Sequence, residues 1–286
     1  MKVLLFLFLM LTLSVSCHST GNQSTCEEWE RFGELFTYQA YACFDFPSRP
    51  DDSYNYPLRP GMTEWGTLLT TEDKIAACQI PLEIVEKMST PALIQAIWEY
   101  PLLSIRGSCK YNVEFATLQS LNNNTYTELL IRKDTGLELF KRLVSMDVLA
   151  HPYRECWESV MVEAWLAQNT FITQLDDGQK RKVVETCLKN DALRRKTHVC
   201  NYNIDWYLYA AYLLMARSMA AANYAPFMAA VSNSEGFQWF LDGHTPSFDD
   251  SRTLPYDYTP GLMERYGPAD ILQQIITYGE QFITEK

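Results

Sequence analysis

The chain has 286 residues, a net charge of −11, 47% hydrophobic residues and 21% charged residues. That balance supports a packed globular core and excludes a disordered chain. The negative charge excludes non-specific nucleic-acid binding, which depends on Lys and Arg neutralising phosphates. There is no Gly-rich phosphate cradle, no Gly-x-Ser-x-Gly and no His-Glu-x-x-His, so no cofactor and no metal are expected.

At the N-terminus Lys2 precedes an uncharged apolar run from Val3 to Val15. This is the charge and length pattern of a secretory signal, too short for a membrane span of about 20 residues. Residues 1–16 are therefore expected to be a signal peptide. Ser14 and Ser16 suit ordinary cleavage before Cys17, but the same stretch reads as a relaxed lipobox with Cys17 as the lipidated residue. Residues 17–25, rich in Ser, Thr and Asn, then form a polar tether. Two or more acyl chains would anchor stably, at about 0.8 kcal/mol per buried methylene.

Ser24-Thr25 followed by Glu27-Glu28 opens a first helix with Trp29, Phe32 and Phe36 on one stripe. Residues 47–63, broken by Pro47, Pro50, Pro57, Pro60 and Gly61, read as a long loop. Thr71 is expected to cap a helix ending near Cys78, and Pro81 to open another. Ser89-Thr90-Pro91 is a start signal in which a hydroxyl caps free amides and Pro sits where no N–H is needed. The following helix buries Leu93, Ile94, Ile97 and Trp98 and stops before Pro101.

Beyond the Asn122-Asn123-Asn124 turn, Thr125 and Thr135 each cap a predicted helix, the second with Leu139, Phe140, Leu143 and Val144 at helical spacing. A long helix after Pro152 carries Trp157, Val160, Met161, Ala164 and Trp165 and runs to Asp176-Asp177-Gly178. The next turns Val183, Val184, Cys187 and Leu188 inward. Residues 204–231 are the most apolar; Arg217, Asn223 and Pro226 interrupt them too soon for a membrane span, which makes them a central core helix. Residues 245–261 are a second Pro-rich loop. Gly267-Pro268 starts a closing helix striped by Ile271, Leu272, Ile275, Ile276, Phe282 and Ile283.

With no alternating strand run, the expected fold is all-α, a multi-helix bundle or irregular stacked helix pairs with two long Pro-rich loops. Residues 26–286 are expected to form a single helical domain, with a candidate internal boundary near residue 150.

Four short words in fixed order stand at Arg59-Pro60-Gly61-Met62-Thr63-Glu64-Trp65, Ala77-Cys78-Gln79-Ile80-Pro81, Met88-Ser89-Thr90 and Tyr100-Pro101-Leu102-Leu103. Over residues 57–150 the chain thereby resembles an uncharacterised family of secreted or lipid-anchored proteins from Bacteroidetes. The resemblance implies export and a helical fold, and brings no catalytic motif. By resemblance to surface-exported lipoproteins, the lack of an acidic run after Cys17 implies a periplasm-facing anchor.

Few residues invite chemistry. Cys187 and Cys200 flank a short connection and are the expected disulfide, a loop closure contributing about 3 kcal/mol in the chain-entropy model. His198 with Cys187 and Cys200 has poor zinc spacing. The pairs Cys156/His151 and Cys200/His198 lack any nucleophile signature. Glu155, Glu158 and Glu163 share one helix and read as a solvated face, the alternative being paired acid–base carboxylates. The basic runs Lys180-Arg181-Lys182 and Arg194-Arg195-Lys196 read the same way, with docking to an acidic partner or lipid headgroups as the alternative. Tyr54, Tyr56, Tyr256 and Tyr258 lie in the Pro-rich loops, where exposed rings could stack on sugars or protein.

These readings combine into an exported, membrane-anchored or secreted envelope protein that binds or scaffolds a protein or glycan partner without catalysis. The alternative is a helical hydrolase of envelope or dietary glycans using Asp/Glu acid–base residues, which would require two facing carboxylates about 5–10 Å apart in a cleft.

Overall fold

A computed structural model of the chain describes residues 49–102, 122–147, 154–197, 204–242 and 269–285. These residues are 69% helical and contain no strand, so the fold is all-α. They divide into two compact units. The first contains residues 55–78 and 98–102, the second residues 49–54, 79–97 and the described chain beyond 122. The described chain crosses between the units at 54/55, 78/79 and 97/98.

In the first unit, residues 55–64 form turns without helix, as the prolines predict. Gly61 adopts φ 94°, a left-handed conformation that glycine enters without steric penalty. A 3-10 turn, Trp65–Thr67, precedes α1, Thr71–Ala77. The cap is Thr70, one residue before the expected Thr71: its hydroxyl accepts from the Asp73 amide while the Asp73 carboxylate accepts from the Thr70 amide. Trp65 is buried, with the Lys74 ammonium 5.8 Å from its ring centroid.

The second unit begins with α2, Leu82–Val85, and α3, Thr90–Trp98. The Ser89 hydroxyl accepts from the Ala92 amide, as the Ser-Thr-Pro signal predicts. Leu93, Ile94 and Ile97 are buried, again as expected. Asp52 fixes this start by accepting from both the Ser89 amide, at 2.6 Å, and the Ser89 hydroxyl, at 3.0 Å. These bonds to the charged form hold the Asp52 carboxyl below its ordinary pKa.

Helix α4, Asn124–Ile131, is capped by Asn123 and not by Thr125, which lies within it. Helix α5, Thr135–Ser145, buries Leu139 and Leu143. The Thr135 hydroxyl donates to the Leu129 carbonyl and does not cap. The long helix expected after Pro152 is α6, Arg154–Leu166, and ends earlier than Asp176. Gln168 leaves the helical region at ψ 134°, and a short α7, Asn169–Ile172, intervenes before α8, Asp177–Thr197.

Helix α9, Ile204–Ala221, is the centre of this unit: α8, α6 and the closing helix α12, Ala269–Thr284, all pack on it. Residues 210–216 are buried without interruption, which is why the segment is apolar on every face. No helix among the described residues is long and apolar enough to cross a membrane. Asn223 ends α9 at φ 52°: the Tyr224 amide returns to the Met219 carbonyl and the Asn223 amide to Ala220, a Schellman closure. Helices α10, Ala225–Ser232, and α11, Glu235–Leu241, then pack on each other and on α9.

One glycine is required by contact. A Cβ on Gly136 in α5 would lie 2.2 Å from the Phe171 carbonyl oxygen of α7, and the Gly136 amide donates to Gln174 Oε1 at 2.7 Å. Alanine would gain about 1 kcal/mol in helix propensity. The clash is with backbone, so overpacking should prevail and Gly136→Ala should cost about 1–3 kcal/mol net. A urea midpoint unchanged from the parent would show that α5 and α7 separate freely.

Candidate functional site

The one place where the described core gathers charge is the junction of α6, α8 and α9. Glu163 on α6 is fully buried and Arg194 on α8 nearly so. Two guanidinium nitrogens grip the carboxylate: Nη1 donates to Oε2 at 3.2 Å and Nη2 to Oε1 at 2.8 Å. Arg194 Nη2 also donates to Ser159 Oγ at 2.6 Å, one turn before Glu163 on α6. Asp191, one turn before Arg194, accepts from the Tyr212 hydroxyl of α9 at 3.3 Å. Cys187 lies one turn further back on the same face of α8 and is fully buried.

Burial is the strongest influence on Glu163 and raises its pKa; the charge and hydrogen bonds of Arg194 oppose this, and the Asp191 charge adds to it. Burial, with the Glu163 charge beside it, pushes the Cys187 thiol well above its ordinary pKa. Such a thiol is the reverse of an activated nucleophile, which needs an electropositive, accessible setting. Both Glu163 oxygens are engaged by Arg194 and the residue is fully buried, so this carboxylate ties α6 to α8 in the interior. Among the described residues no group of His, Cys, Asp and Glu could hold a metal ion.

The sequence-predicted sites fall out differently. Cys187 is a free thiol buried in the core, on the inward face of α8 beside Glu163. Its expected partner Cys200 lies outside the described residues, as do Cys17, Tyr256, Tyr258, His151, His198 and the side chains of Glu155, Cys156 and Glu158. Tyr56 is not an exposed ring. It is 3% exposed and packs edge-on against Tyr100 at 6.1 Å, because a loop aromatic gains more from burial than from water. Tyr54 is half-buried, and its carbonyl accepts from Arg49 Nη2.

The basic runs are not solvated faces throughout. Arg194 is the interior cation just described. Lys180 is buried and donates to Asp177 Oδ1 and to the Ala221 carbonyl at the end of α9. Arg181 donates to the Phe282 and Glu285 carbonyls at the end of α12 and lies 4.6 Å from the Phe282 ring. Only Lys182 of its triplet stays outside, paired with Glu185.

Two further cations behave alike. Arg217 reaches from α9 to the Leu241 carbonyl that ends α11 and the Ala167 carbonyl just past α6. Arg132 reaches the carbonyls of Val85, Glu86 and Met88 around the end of α2. Carbonyls at a helix C-terminus have no partner within the helix and carry its negative pole, so a cation from another helix satisfies both needs. Spacing gave a signal for Arg194 that the basic run concealed. It stands seven residues after Cys187 and eleven after Val183, on the same inward stripe.

The closing helix is also tied by Tyr224, whose hydroxyl donates to Glu285 Oε1 at 2.9 Å and whose ring lies 5.1 Å from Phe282. Burial first, then the Glu285 carboxylate, pushes the Tyr224 pKa from 10.0 up to about 12. The unfolded phenol therefore loses its proton first as pH rises, and the stability that this bond contributes below pH 10 is lost through about 12. The thermal midpoint should fall more steeply across that interval in the parent than in Tyr224→Phe. Parallel slopes in the two proteins would contradict the assignment.

The described residues define an all-α protein in which the buried Glu163 is paired with Arg194 and several cations close the ends of neighbouring helices. No protein-family model matches the chain, and neither a curated protein nor a solved structure is significantly similar to it.

Proposed function

We propose that this chain is an exported envelope protein, tethered through a lipid at Cys17 on the periplasmic face, that binds or scaffolds a protein or glycan partner and does not transform it. The kinship with lipid-anchored Bacteroidetes proteins is part of the same proposal. The observation that supports binding over hydrolysis is the closed Glu163–Arg194 pair: the buried carboxylate with a raised pKa has both oxygens held by Arg194 and no solvent access. The leader and polar tether support export. Among the described residues the buried charges balance, Lys180 and Arg194 against Glu163 and Asp191, so the net charge of −11 falls on the rest of the molecule. An acidic surface favours a basic or uncharged partner over nucleic acid.

Two measurements test this. The parent should sediment with membranes and Cys17→Ala should move to the soluble fraction; a variant that stays with membranes would remove the lipid anchor. Incubation with envelope and dietary glycans should yield no new reducing ends. Steady release of reducing ends would replace the binding reading with the glycan hydrolase.

A further inference from the structure

We draw no further inference here: the strongest candidate, the exposed apolar surface formed by Leu82 and Ile84 of α2 and Ile131 of α4 in the second unit, carries nothing because nothing in the structure shows what covers it.

Discussion

Glu163→Leu is expected to cost the fold about 3–5 kcal/mol, because it leaves the Arg194 guanidinium buried without its carboxylate. The reverse deletion, Arg194→Met, should cost a similar amount at neutral pH but with a distinct pH dependence. Glu163 already has a raised pKa with Arg194 beside it, and without that cation nothing opposes the effect of burial. A raised folded-state pKa means that the carboxyl favours the fold when protonated and loses that contribution as pH rises through the raised value. The deficit of Arg194→Met should therefore shrink on acidification, whereas that of Glu163→Leu should not.

The double replacement Glu163→Leu with Arg194→Met removes both charges and leaves apolar groups of similar length. It should be neutral to about 4 kcal/mol more stable than the parent, and so more stable than either single variant, since two ions no longer have to be desolvated. Urea unfolding of all four proteins closes the cycle. Single variants within about 0.5 kcal/mol of the parent, the range of ordinary surface changes, would show that the pair does not form in solution.

Trp165→Ala is the second large effect, expected at about 3–5 kcal/mol. Trp165 on α6 is fully buried, stacks on Phe171 of α7 at 6.2 Å and 12°, and meets Tyr126 of α4 edge-on at 5.8 Å. The ring thus joins three helices, and its removal leaves a cavity between them. Trp165→Phe keeps part of the contact and should lose less. A loss below about 1 kcal/mol for the alanine form would mean that α4 and α7 collapse onto the vacated space, which the close approach of Gly136 to Phe171 opposes.

Where a signal lies within one or two turns of chain, the sequence is readable to within a residue. Ser89-Thr90-Pro91 starts α3 and the stripe through Leu93, Ile94 and Ile97 is buried, whereas the single core helix expected over 204–231 is broken at Asn223 into α9 and α10. The errors at this level are small shifts between adjacent cap candidates, Thr70 for Thr71 and Asn123 for Thr125, because neighbouring polar side chains compete for the same amides. The early end of α6 is a larger miss. Its apolar period continues through Phe171 and Ile172, but the backbone turns out of the helix at Gln168.

The interior charges were legible only in part. The period of α8 places Arg194 on the stripe of Val183 and Cys187, yet a triplet of basic residues reads by composition as a wet face. Nothing local could name its partner, since Glu163 lies 31 residues away. Likewise Arg217 meets Ala167 across 50 residues and Arg181 meets Phe282 across 101. Tyr56 failed for the same reason: whether a loop ring faces water depends on what packs over it, here Tyr100.

By itself the sequence determined that this protein is built from helices, where many of them begin, and which faces are apolar, because helical period and end-capping are interactions between residues three or four apart. Only the tertiary structure decided which cations are internal, that Cys187 is a free core thiol, and that Glu163 is closed off by Arg194. Pairing of buried charges depends on which helices become neighbours, and desolvation then forces each charge to find its partner across that distance.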